Sequence, residues 1–533
     1  MTAVAERSLG QAPEPHLPRL PRIFALVSGS TIVATLFAAA NATAFLLVRP
    51  GVNDLWAARA RASAVSHGVG LTYWFAWFGG GSTPGNYSVL TPYLSALLSA
   101  ELVGALSAVA ITVVTALAVR GTAHPAAATG VATLAAGINL WSGRVPFLLG
   151  AAFAIGAVIA IRHQRTVIAV ATTVVSILAS PVSPAFLALG LVAVFITMPK
   201  YRVITATTVA TVVVGFGLVA LTFGAPGPQP FSLWLCVESL GALALFLLAR
   251  TPHFVRSLIW LSMLTAVLLF LVPNGMGSNF GRMVWFCIPV LIVATSRWNA
   301  WVASVMIAPV LLSGANLTIS DLRQAGDPTS DTAYYEPLAA ELDRISGLNN
   351  FRVEVVSQKA QAAYDALLDH GMLARGWETQ EDTALNRTVL SPTLDSTAYK
   401  IWLDNNAVGY VALPRAQAED FPEYKLVAGG ISYLHEMWRS DGWTLYRVAN
   451  PTPIIAAPQS VLSYSQSKLV IRSSCSCTFT VRIRFSKYLR GDPVVRTPGL
   501  TATLVSDGSG YTSMTTTGPG DYTLHGSVAR LFH

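Results

Sequence analysis

Charge is scarce in this sequence, and negative charge is scarcer still. Only 12% of the 533 residues are Asp, Glu, Lys or Arg, against about 25% in an ordinary soluble protein. Between Ile23 and Leu317 the acids are Asp54, Glu101 and Glu238 alone, whereas Asp and Glu become frequent from Asp321 onward. Two solvents are implied, and the first half cannot present the mixed charged surface of a water-soluble fold. Cysteine is also sparse, and four residues do not make a disulfide framework. Cys236 and Cys287 lie in apolar runs as packing residues. Cys475 and Cys477 form a C-x-C in the polar half; side chains two apart on a strand share a face, but a direct bond would strain the chain, so they read as structural or unpaired thiols. There is no HExxH, no G-x-S-x-G, no Walker loop and no zinc-spaced Cys/His cluster. No metal ligand set and no cofactor are expected.

What is present is hydrocarbon. Hydrophobic residues make up 53% of the chain, which reads as a polytopic α-helical membrane protein. The net charge of +8 sits in short turns between apolar runs, so it marks a cytoplasmic face and not a nucleic-acid partner. The first 22 residues are Pro-rich and aperiodic, a disordered cytoplasmic tail. The first apolar run, Ile23 to Val48, is longer than the roughly 20 residues needed to cross a bilayer. "ANATA" offers a signal-peptide cleavage site, but the apolar run continues past it and favours a retained anchor. Later turns are of two kinds. "AVRGTAHP", "RHQR", "PKYR", "ARTPHFVR" and "SRWN" are basic, while the long stretch 50 to 90, "LWSGRVP", "SPVSP", "FGAPGPQP" and "VPNGMGSNFGR" are rich in Gly, Pro, Ser and Asn. They alternate strictly. With the basic set inside, the chain makes about eleven spans over 23–317, with a cytoplasmic N-terminus and an extracytoplasmic C-terminal region in the plasma membrane. The short runs flanking "SPVSP" predict an outward cavity, because non-helical backbone is tolerated in a membrane only where protein or water satisfies it.

Beyond the spans, 318–450 reads as an α/β domain. "DTAYYEPLAAELDRI" and "QAAYDALLDHG" have helical spacing, and "FRVEVVS", "VGYVALP" and "WTLYRVA" alternate as strands. From 451 to 533, "SKLVIRS", "CTFTVRIRF" and "LTATLVS" between Gly, Ser and Pro turns predict a β-sandwich.

The candidate chemistry gathers near the outer turns. The first outer loop is about 40 residues long against a usual four to six, and carries Tyr73, Trp74, Phe75, Trp77 and Phe78 before a glycine triplet. It reads either as an interfacial helix shaping a lipid entrance or as a plain aromatic belt. Asp54 is either a general base at the membrane face or an N-cap and salt-bridge partner of Arg59 or Arg61, since Asn53 and Asp54 precede the helical "LWAARARA". Arg144 and Arg282 are lone cations in outer turns, and their forked donors suit phosphate, lipid headgroups or an ion pair. Glu101 and Asn279 are supporting candidates, and Glu238 is an intramembrane carboxylate. His67 reads as solvated. In "LARGWETQEDTALN", Arg375, Trp377, Glu378 and Gln380 suit a sugar acceptor, or a loop docking on the membrane half.

An acidic residue soon after the first span, a long amphipathic first outer loop, about eleven spans and an external C-terminal domain together resemble the GT-C superfamily of polyprenyl-phosphate-sugar-dependent glycosyltransferases. "NLWSGRVPFLLG" and "GSNFGRMVWFCIPV" look like segments of its arabinofuranosyltransferase-like actinobacterial envelope members. The resemblance implies that Asp54 is the catalytic base, that Arg144 and Arg282 hold the donor's lipid phosphate, and that a sugar moves in inverting fashion from a polyprenyl phosphate to an envelope glycan or glycolipid. Many members carry paired acids in that loop; here the neighbours of Asp54 are Asn53 and Leu55. A transporter or flippase for an envelope precursor, resting on Glu238, and a non-catalytic assembly subunit remain the alternatives.

Overall fold

The computed structural model describes residues 28–224, 227–416 and 421–527; the predicted tail over 1–22 lies outside them. Helices dominate to residue 324: α1 (Gly29–Val48), α2 (Asn53–Ser66), α3 (Thr91–Leu98), α4 (Ala100–Ala118), α5 (Pro125–Trp141), α6 (Val145–Arg162), α7 (Thr166–Ala179), α8 (Val182–Thr197), α9 (Arg202–Phe223), α10 (Leu233–Leu247), α11 (His253–Leu271), α12 (Ile288–Thr295) and α13 (Ala300–Gln324). Among the described residues, seven helices are long and apolar enough to cross a membrane, and α7, α8 and α10 are shorter apolar helices. α13 runs on to Gln324, past the Leu317 boundary expected from hydropathy.

The break around "SPVSP" has a defined cause. α7 ends at Ala179 and α8 begins at Val182, with Pro184 tolerated in the first turn because its missing N–H would have no helical partner there. The orphaned carbonyls at the end of α7 are taken up by the first loop. Leu178 O accepts from Val89 N at 2.9 Å and Leu90 N at 2.8 Å, and Ala179 O from the hydroxyls of Ser88 and Thr91, both at 2.9 Å. Protein donors thus replace the water a broken helix would otherwise need.

The C-terminal region has two parts. β1 (Arg352–Val355) pairs parallel with β2 (Val408–Pro414), and β2 pairs antiparallel with β4 (Trp443–Val448), which borders β3 (Leu434–Arg439). β1 and β2 are buried along their whole length, because the sheet is covered on both faces. One face carries α14 (Ser396–Asn405) and α15 (Pro422–Ala428); the other meets α2 and the first loop. Beyond it, β5 (Ser460–Ser465), β6 (Lys468–Ser473), β11 (Gly520–Gly526) and β8 (Leu489–Pro493) form one sheet, and β7 (Thr478–Arg484), β10 (Tyr511–Thr516) and β9 (Ala502–Ser506) the other. Leu469 and Ile471 of the first meet Val481, Ile483 and Met514 of the second, each strand alternating in and out as a sandwich requires. Cys475 and Cys477 are joined by a disulfide, contrary to expectation. They lie in the bend between β6 and β7 and not on a strand, so the shared-face geometry does not govern them.

The aromatic loop corrects the sequence reading most sharply. Tyr73, Trp74, Phe75, Trp77 and Phe78 are each at most 1% exposed, inside the protein and not at a lipid boundary. Trp74 bridges to Ser82, the chain bends from Phe75 to Trp77 and turns at Phe78 (φ +54°), and the side chains divide between two cores. Tyr73 and Phe75 enter the sandwich core, while Trp74, Trp77 and Phe78 enter the core under the mixed sheet. Trp77 Nε1 donates to Tyr364 O at 2.9 Å, and Gly376 lies so close to the Trp77 ring that an added Cβ would stand 2.6 Å from Cγ. The Gly79-Gly80-Gly81 turn has φ of +71°, +86° and +99°, a region glycine enters without steric cost. It brings Gly79 O to the buried Arg352 guanidinium at 2.6 Å, which also donates to Asn406 O of the α/β part and Arg482 O of the sandwich.

Trp77→Ala is expected to cost about 3–5 kcal/mol, read as a lowered thermal midpoint and earlier proteolysis of the C-terminal region; an unchanged midpoint would contradict this packing.

Candidate functional site

Asp54 stands at the second position of α2, and the residue before the helix is Val52, which has no capping side chain. Asp54 is therefore not the cap, and Arg59 and Arg61 are taken elsewhere. Arg59 pairs with Glu101 and Arg61 with Glu378, both at 2.6 Å. Asn53, where an acid pair would place its partner, points away from the site. Its amide nitrogen donates to Gln324 Oε1 and its amide oxygen accepts from Gln361 N, both at 3.0 Å. The start of α2 is thereby tied to α13 and to the α/β part, and this fixes where Asp54 points.

It points into a cavity of about 290 Å3, near the lower end of the roughly 300–1,000 Å3 range of small-ligand pockets. Two arginines flank it there. Arg144 Nε lies 3.7 Å and Arg282 Nη2 3.9 Å from Asp54 Oδ2. Arg144 reaches this place because Gly143 (φ +73°) lets the α5–α6 turn press on α2; a Cβ there would stand 2.5 Å from Leu55 N. Arg282 precedes a π-helical turn, Met283–Cys287, that leads into α12, and its guanidinium sits 5.2 Å from the centroid of Phe147. Such turns inside helices recur at functional sites.

The carboxylate–guanidinium distances exceed hydrogen-bond length, so the donors are not spent on Asp54. Arg144 Nε is buried without a hydrogen-bond partner, although Arg144 Nη1 donates to Asn139 Oδ1 at 3.3 Å. Asp321, near the end of α13, comes within 3.8 Å of Arg144 Nη2, balancing two cations with two carboxylates. Tyr87 also lines the cavity. Burial, then the Asp54 charge, push its phenol above the ordinary value, so it keeps its proton as a donor. The Arg61 guanidinium lies 4.2 Å over the Tyr87 ring and 5.1 Å over Trp77. Ser180, Pro181 and Val182 of the α7–α8 break form another wall, where the broken spans predicted a cavity.

Of the sequence-predicted residues, Asp54, Arg144, Arg282, Asn279 and Gln380 line the cavity together. Others do not. Glu101 serves Arg59, outside the lining. Arg375 is buried in a network of its own, 2.7 Å from Asp382, 3.4 Å from Glu423 and 3.6 Å from Glu354, outside the cavity lining. Trp377 packs on the core under the mixed sheet, and Glu378 faces Arg61 and not the cavity. Glu238 is hydrogen-bonded to Ser313 and does not border the cavity. Tyr87, Arg61 and Asp321 were missed. Arg61 follows Asp54 by seven residues, two helical turns, and so shares its face; that signal was readable.

Next to Gln380, the half-buried Glu381 accepts from Ser82 Oγ at 3.0 Å. Burial, then the neighbouring Glu378 carboxylate, push it up to about 8. The folded protein holds this proton over a range where the unfolded chain has lost it. The resulting stability is full below about pH 4.3 and is lost as pH rises through the folded value. The thermal midpoint of the wild type is expected to fall more than that of Glu381→Gln between about pH 5 and about pH 9; parallel curves would contradict it.

No family model and no curated protein sequence matches the chain.

Proposed function

We propose that the protein is a polytopic envelope enzyme, with about eleven spans, that transfers a sugar from a polyprenyl phosphate to a glycan or glycolipid acceptor on the outer face of the plasma membrane. The observation that carries this reading is the placement of Asp54 between two guanidiniums in one cavity. A phosphate needs forked, unspent donors, and Arg144 and Arg282 offer them. An acceptor hydroxyl needs a base within reach, and Asp54 is the carboxylate among the cavity-lining residues.

In this reaction the acceptor oxygen attacks the anomeric carbon and the bond from that carbon to the phosphate oxygen breaks. The electron pair leaves with the phosphate, and the acceptor proton passes to Asp54. Attack opposite the leaving group inverts the anomeric centre. Arg144 and Arg282 take the charge growing on the phosphate, Tyr87 and Gln380 offer hydrogen bonds to sugar hydroxyls, and Asn53 acts only by positioning α2. With the basic turns in the cytoplasm, the N-terminus is cytoplasmic and the α/β part and sandwich are extracytoplasmic, on the same side as the cavity. A transport reading centred on Glu238 has less support, because that carboxylate is engaged by Ser313 away from the cavity.

The test is an envelope glycan and lipid profile by mass spectrometry of a deletion strain rescued with wild type or Asp54→Asn at equal abundance. Asp54→Asn is expected to leave the missing glycoform unrestored, with turnover down at least about 100-fold, the usual size of a general-base contribution. Equal rescue would sink the transferase reading.

A further inference from the structure

A second cavity, of about 520 Å3, lies inside the helical bundle. Along α6 its lining extends from Phe147 to Arg162, about 22 Å at 1.5 Å per residue, and along α8 from Ser183 to Met198. Phe147 also lines the polar cavity holding Asp54, so the two spaces are neighbours separated by that ring. Apart from a few hydroxyls, Cys287, Asn139 and, at one end, Arg162, the walls are aliphatic and aromatic. Water finds few partners on such walls. The cavity's natural content is a hydrocarbon chain.

The far end says which kind. Arg162 is exposed there and donates to Ala118 O and Arg120 O, which leaves part of its five-donor guanidinium open. It makes no ion pair among the described residues, and the chain from Leu102 to Val237 contains no carboxylate at all. The neighbouring turns supply Arg120, Arg165, Lys200 and Arg202. One helical turn inward from Ala118 the cavity is lined by Thr115, 4% exposed, whose hydroxyl is buried without a hydrogen-bond partner. A cation at the mouth and a lone buried donor a turn deeper match a phosphodiester followed by an ester carbonyl.

We propose that this cavity binds an anionic phospholipid, its phosphate at Arg162, an ester carbonyl on Thr115 and an acyl chain running toward Phe147. The site uses neither Asp54 nor the transfer chemistry, and stands or falls separately from them. Gly190 of α8 lines the cavity, and a Cβ there would meet nothing within 4 Å. Gly190→Phe therefore fills the space from one wall, and Arg162→Glu reverses the charge at an exposed position.

The experiment is native mass spectrometry of the purified full chain after reconstitution in nanodiscs of phosphatidylglycerol mixed with phosphatidylcholine. Wild type is expected to retain phosphatidylglycerol through detergent washing, and Gly190→Phe to lose it while keeping its circular-dichroism spectrum. Arg162→Glu is expected to lower the preference for phosphatidylglycerol over phosphatidylcholine at least about five-fold, the effect of losing one basic residue at an anionic surface. Wild type without retained lipid, equal retention by all three proteins, or an isoprenoid phosphate carried from the cells in place of phospholipid would overturn the assignment. If Gly190→Phe fails to fold, the Arg162→Glu preference decides alone.

Discussion

The packing of one aromatic segment, residues 73–78, holds the two halves of this protein in register. Large aromatic side chains bury about 150–250 Å2 each, and here they are driven into two cores at once, Tyr73 and Phe75 into the sandwich and Trp74, Trp77 and Phe78 under the mixed sheet. Because the same loop continues into Ser88–Thr91, which closes the broken end of α7, a shift of the C-terminal region would be felt at the cavity wall. α2 is held on the opposite side by Asn53 and by the buried Arg61–Glu378 pair. Removing one member of such a pair strands a charge away from water. The position of Asp54 is thus set by both halves together.

The electrostatics of the cavity follow from that frame. Arg144 and Arg282 repel one another, and Asp54 and Asp321 make their closeness tolerable without saturating their donors. An arrangement that balances the charges and keeps guanidinium forks available is suited to an anionic ligand. The apolar cavity on the far side of Phe147 has a different character, with mostly hydrocarbon walls and Arg162 at one end.

Much of this was legible from residue types. Scarcity of carboxylates marked the apolar half, and the two kinds of turn separated Arg144 and Arg282 from the other cations. Alternation in "FRVEVVS", "VGYVALP", "SKLVIRS" and "CTFTVRIRF" gave strands at β1, β2, β6 and β7. The aromatic loop was misjudged because aromatic density suits both a lipid boundary and a core. What distinguishes them is the partner surface, the sandwich for Tyr73 and Phe75 and the mixed sheet for Trp74, Trp77 and Phe78, and those strands lie far along the chain. The network around Arg375 was not legible because two of its partners, Glu354 and Glu423, are distant in sequence. Asp321 was hidden for another reason: α13 outlasts its apolar stretch, so a site carboxylate looked like the first acid of a soluble domain.

The central claim of the proposal is that Arg144 and Arg282 hold the donor phosphate close to Asp54, which stays free to take the acceptor proton. Its most direct test is the affinity of purified wild type and Asp54→Asn for a polyprenyl monophosphate, measured by native mass spectrometry in the same nanodiscs. The account predicts that Asp54→Asn binds the phosphate more tightly than wild type, because a like charge has been removed from the anion's neighbourhood while both guanidiniums remain. Equal or weaker binding by Asp54→Asn would show that the phosphate does not sit between Arg144 and Arg282, and would contradict the claim.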